Sequence, residues 1–143
     1  MAYGRIVPSF DRGSVLLTWD QRQLRLVWNG KPEAIDVPAG PWRLRNYRIE
    51  QKQDGVEWFL SGSGWPGPRI EVTENAETRL EIADTVQLKV RSVQQAGKVT
   101  VHFSVSGHHG MGLSVVKDEA RPAPAWRVMA GDVELAKGVC RYG

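Results

Sequence analysis

The chain has 143 residues, with 19 Lys and Arg against 16 Asp and Glu, six Trp and a single Cys. That length fits one domain, 1–143, which buries enough surface to stand without a metal or a disulfide. The net charge of +3 is spread from Arg5 to Arg141, whereas a nucleic-acid-binding domain gathers its basic residues on one face, so nucleic acid is disfavoured as a partner. One cysteine, Cys140, excludes an internal disulfide and a multi-Cys zinc site.

The opening "MAYGRIVPSF" lacks a charged region followed by an apolar run, so no signal peptide is expected in this stretch. No apolar run reaches the ~20 residues of a membrane-spanning helix. Next, Val15-Leu17-Trp19 and Leu24-Leu26-Trp28 bracket "DQRQ", a gap that suits a β-hairpin. Turn signals follow at "NGKP" (29–32), "QDG" (53–55), "QAGK" (95–98) and "AGD" (130–132). Between them, apolar residues alternate with polar ones: Val56, Trp58 and Leu60; Val86, Leu88 and Val90; Val99, Val101, Phe103 and Val105; Trp126, Val128 and Ala130.

One segment breaks phase. Trp42 and Leu44 share one parity, Tyr47 and Ile49 the other, and a bulge near Asn46 would bring all four to the core side. Helix is scarce. "ENAETRLEIAD" (74–84) offers Asn75 as a cap, yet Leu80 and Ile82 also alternate with Arg79 and Glu81, so helix and strand compete there. "KDEARPAPA" (117–125) holds at most one helical turn before Pro122. The pattern predicts an all-β fold, an antiparallel β-sandwich of about ten short strands with little helix.

The stretch "DVPAGPWRLRNYRIEQ" (36–51) carries Pro38, Gly40, Trp42 and Leu44. It resembles the Pro-x-Gly-x-aromatic-x-Leu strand entry of carboxypeptidase-regulatory-like (prealbumin-like) β-sandwich accessory domains of exported bacterial proteins. The resemblance covers about a tenth of the chain. It implies an accessory or spacer domain of an extracytoplasmic protein, and it brings no catalytic residues.

Enzyme signatures are missing. Ser63 has Ser61 and Trp65, not the glycines of a Gly-x-Ser-x-Gly nucleophile elbow, two positions to either side, and no Walker loop or dinucleotide fingerprint is present. Cys140 reads as a small edge-of-core residue. The acid pairs Asp54–Glu57 and Asp118–Glu119 read as solvated turn charge rather than a glycosidase couple. His102, His108 and His109, with Met111, offer imidazole and thioether ligands of the kind that suit zinc or copper. Adjacent residues of an extended chain point apart, however, so a solvated loop is the simpler reading. Arg43, Arg45 and Tyr47 in "WRLRNYR" share a parity that would suit a polyanion, or would keep an edge strand soluble.

Trp19, Trp28, Trp58 and Trp126 fall in phase with aliphatic neighbours and belong in a core, and Trp42 is placed to close one end of the sandwich. Trp65, inside "SGSGWPGP" (61–68), has no such phase. It either folds back as a hydrophobic cap, the favoured reading, or stands out to stack on a sugar with Ser61, Ser63 and Arg69 nearby. The functional expectation is a non-catalytic binding or spacer domain with no cofactor. Other protein domains or a glycan are its partners, and edge strands offer a route to homo-oligomers. A carbohydrate-binding module using Trp65 and Trp42 is the alternative, and a His-based metal protein the third reading.

Overall fold

The structure, a computed structural model, describes residues 1–117 and 120–140. Among these lie thirteen strands: β1 (Tyr3–Pro8), β2 (Arg12–Trp19), β3 (Arg22–Asn29), β4 (Ile35–Pro38), β5 (Gly40–Gln53), β6 (Val56–Ser63), β7 (Arg69–Val72), β8 (Glu77–Leu80), β9 (Gln87–Gln95), β10 (Lys98–Ser106), β11 (Gly112–Lys117), β12 (Ala125–Ala130) and β13 (Val133–Val139). One 3₁₀ turn, His108–Gly110, joins β10 to β11. The all-β, sandwich-like architecture is the one the alternation predicts.

The turns form where the sequence placed them. Asp20 begins a two-residue β2–β3 connection, and the strands extend further into "DQRQ" than the apolar pattern alone suggested. Asp54-Gly55 and Ala96-Gly97 both have positive φ at both positions, the conformation of the tight hairpin turns that match strand twist. Within the 74–84 segment strand wins over helix, but only across Glu77–Leu80, which forms β8. Asn75 takes a left-handed turn instead of capping a helix, and β8 then pairs in parallel with β1. Long-range pairing outweighs the modest helix preference of Ala, Glu and Leu.

A large sheet runs β3-β2-β5-β6-β11-β10-β9, with β7 added against the start of β5. A smaller sheet, β4-β1-β8, is the opposing layer of the core. Ile6, Val37 and Leu80 from the small sheet meet Val15, Leu17 and Leu44 from the large one, all essentially solvent-free. Burying each such aliphatic side chain contributes roughly 1.5–3 kcal/mol. The register of β2 on β5 shifts between Leu16↔Asn46 and Leu17↔Leu44, so Arg45 is the extra, bulged residue. As the phase break predicted, Trp42, Leu44, Tyr47 and Ile49 are all buried.

The two halves of the large sheet differ. Under β3, β2 and β5 the core is closed. Every residue of β9 is exposed, and so is β10 from Lys98 to Ser104. β12 and β13 pair only with each other, as a separate two-stranded sheet. Trp28 and Trp42 are buried, each donating its indole N–H to a backbone carbonyl, Glu33 at 2.7 Å and Pro38 at 2.8 Å. Trp19 packs edge-on against Trp42. Trp58 and Trp126 depart from the expectation: Trp58 is half-buried beneath the Lys117 ammonium, outside the core cluster, and Trp126 lies over Gly138 of its own hairpin.

Candidate functional site: a pinned tryptophan beside a seryl face

The bulge at Arg45 does more than restore phase. It frees backbone groups that the 64–68 loop uses as anchors. Leu44 N–H donates to the Pro68 carbonyl at 2.9 Å, and Gly64 N–H donates to the Arg45 carbonyl at 3.1 Å. Two guanidinium groups complete the attachment: Arg43 donates to the Gly67 carbonyl at 3.0 Å and Arg45 to the Gly64 carbonyl at 3.2 Å. Gly67 has positive φ and presses on the Leu44 carbonyl, where a Cβ would not fit.

Trp65 sits at the crest of this loop, 76 % exposed. Behind it lies the Arg45 guanidinium, 4.3 Å from the ring centroid. An exposed cation–π contact of this kind stabilises by about 0.5–1 kcal/mol. The expectation that Trp65 caps the core is therefore corrected. Arg45 occupies the position beneath the indole, and the loop's hydrogen bonds hold the ring in solvent.

Beside the loop, the outer face of the large sheet carries small polar side chains in register. One row across the strands reads Val27, Ser14, Arg48, Ser61, Ser114, and the next reads Arg25, Leu16, Asn46, Ser63, Gly112. Small residues between longer ones leave an open concavity of about 590 Å³, lined on this face by Ser14, Arg25, Asn46, Arg48, Ser61 and Ser114. Arg48 lies over the Phe59 ring, and neither Arg25 nor Arg48 has a carboxylate partner among the described residues. Trp65 follows Ser63 by two positions in the chain, and Arg45, which backs it, precedes Asn46.

Of the residues singled out in sequence, Trp65, Arg43 and Arg45 come together in this loop. Trp42 and Tyr47 do not join them, because the bulge turns both into the core. The proposed single face of Arg43, Arg45 and Tyr47 is thereby broken up. Arg69 is engaged with Glu71 at 2.9 Å. The seryl rows escaped the sequence reading because they belong to strands far apart in the chain. Their only signal was the parity opposite to the buried positions.

The histidines separate. His102 is exposed on β10, directly across from Arg91. His108 is buried: its Nδ1 accepts the Ala83 N–H at 2.9 Å, and its own backbone N–H donates to the Tyr47 hydroxyl at 3.2 Å. Burial, then the neighbouring His109 charge, lowers the His108 pKa, while burial raises that of Tyr47. His109 stacks edge-on against His108 with its ring centroid 4.3 Å away. Among the described residues no three His, Cys, Asp or Glu side chains gather as a metal site. The lone pair of His108 Nδ1 is already committed to a backbone N–H, which makes this imidazole a latch between chain segments. The Asp118–Glu119 pair lies outside the described residues.

No protein-family model, curated protein or solved structure matches the chain.

Proposed function

We propose that this chain is a non-catalytic binding module whose ligand is a glycan, received on Trp65 and the adjoining seryl face. The observation that carries the reading is the pinned, outward-facing indole. A large apolar ring left 76 % exposed on a loop tied by four hydrogen bonds is preorganised for contact, with little ordering entropy left to lose on binding. A sugar ring presents an apolar C–H face to an indole. Its hydroxyls match donors and acceptors such as Ser61, Ser63 and Asn46. The exported, accessory setting implied by the Pro38–Leu44 resemblance is part of the same proposal.

Glycan-array and affinity-electrophoresis measurements on the wild type and Trp65→Ala test it. Loss of a central Trp contact costs about 2 kcal/mol or more, roughly a thirtyfold weakening. The fold should be retained, since the ring contributes only its contact with Arg45. Glycan binding that survives Trp65→Ala, or no binding to any glycan by the wild type, overturns the assignment.

A further inference from the structure

On the outer face of the large sheet, acids are scarce. Across β2, β3, β5, β6 and β11 the registers turn Arg12, Arg25, Arg43, Arg48 and Lys52 away from the core, against two carboxylates, Glu50 and Glu57. Glu50 faces Arg12 at 3.6 Å, and Glu57 stands opposite Lys52 beside the β5–β6 turn. Arg43 is bound to the 64–68 loop. Elsewhere in the fold Arg5, Arg69 and Arg79 each pair with a carboxylate. Arg25 and Arg48 donate to no protein oxygen among the described residues, and a surface of one uncompensated sign draws ligands of the other.

The two arginines flank Ser14. β2 runs between β3 and β5, Arg48 lies directly across from Ser14, and Arg25 is one row along, opposite Leu16. Both arginines and Ser14 border the concavity of about 590 Å³ and a second one of about 320 Å³ beside it. Two strand spacings put their backbones about 10 Å apart across the sheet, a gap that two arginine side chains can close on one oxyanion. Stacking on Phe59, at 4.4 Å, orients the Arg48 guanidinium and leaves its N–H edges free. A guanidinium fork matches the paired oxygens of a carboxylate, and those of a tetrahedral oxyanion such as sulfate.

Building on the glycan reading proposed above, we infer that the ligand is an acidic glycan. Arg25 and Arg48 grip its carboxylate or sulfate over Ser14 while one of its rings lies on Trp65. Arg48 follows Arg45, the support of Trp65, by three positions along β5, about 10 Å at the rise of a strand. That span exceeds one sugar ring, so the ligand is an oligosaccharide, with the hydroxyls of Ser61 and Ser63 along its way. A single-stranded nucleic acid also carries oxyanions, but sheets that bind one offer aromatic rings to successive bases. Here the one aromatic ring turned outward from these five strands is Phe59, and Arg48 covers it.

Isothermal titration calorimetry on the full chain, with circular dichroism as the fold control, tests this with two matched pairs. Oligogalacturonate is set against its methyl ester, and dextran sulfate against dextran; the pair that responds tells carboxylate from sulfate. In at least one pair the charged member should bind about tenfold tighter or more, an advantage that shrinks with added salt. The double variant Arg25→Gln, Arg48→Gln changes two exposed positions, so it should fold and lose that advantage. Trp65→Ala should weaken binding of the charged member as well. No preference for either charged member, with Trp65-dependent binding of uncharged glycans intact, overturns the acidic ligand and leaves the glycan reading standing. A preference that survives the double variant, or equally tight binding of oligothymidylate, also overturns it. Charged-glycan binding that needs the arginines but ignores Trp65→Ala overturns the reading at Trp65, and the joint site with it.

Discussion

Replacing Tyr47 by Phe removes one oxygen atom and nothing else, which makes it a sharp probe of how the buried latch works. The ring stays, packed where a Cβ on Gly62 would otherwise stand, so no cavity opens. What disappears is the acceptor for the His108 backbone N–H, at 3.2 Å in a buried setting. An orphaned buried donor costs about 1–3 kcal/mol, partly offset because the phenol hydroxyl no longer has to be desolvated. A net loss of about 1–2 kcal/mol is expected. With an unfolding entropy of about 2.1 cal/mol/K per residue, a chain of this length loses roughly 3–7 °C in Tm. In urea the midpoint should fall with an unchanged m-value, since the surface exposed on unfolding is the same. A Tm within a degree of wild type would show that the His108 N–H finds another partner and that the Tyr47 hydroxyl is not the clasp.

Other outcomes follow from the same packing. The lowered pKa of His108 means that the unfolded chain takes up a proton the fold resists. Stability should be full above about pH 6.5 and decline as pH falls from there through the lowered value, and His108→Gln should flatten that slope in Tm measured from pH 8 to 5. Gly62→Ala drives a methyl into the Tyr47 ring and should cost about 1–3 kcal/mol by chemical denaturation. Leu44→Ala, at a fully buried position, should cost about 2–5 kcal/mol. Arg45→Ala should lower Tm only slightly but weaken glycan binding alongside Trp65→Ala, because it removes both the support behind the indole and the bond to Gly64.

Period-two alternation and turn chemistry are local properties, and so the sequence alone determined the all-β class, the hairpins at Asp54-Gly55 and Ala96-Gly97, and the bulge that reconciles Trp42 and Leu44 with Tyr47 and Ile49. A phase break inside an apolar strand has few physical remedies, which is why the bulge was legible. Tertiary structure decided everything that depends on what lies opposite. Trp65 faces solvent because Arg45, placed by the bulge, stands beneath it. Glu77–Leu80 is a strand because β1 lies beside it, and His108 is a latch because Ala83 and Tyr47 converge on it. Alternation likewise marks one face of β9 and β10 as apolar, but whether another layer covers that face is a fact about neighbours distant in the chain, and no local pattern encodes it.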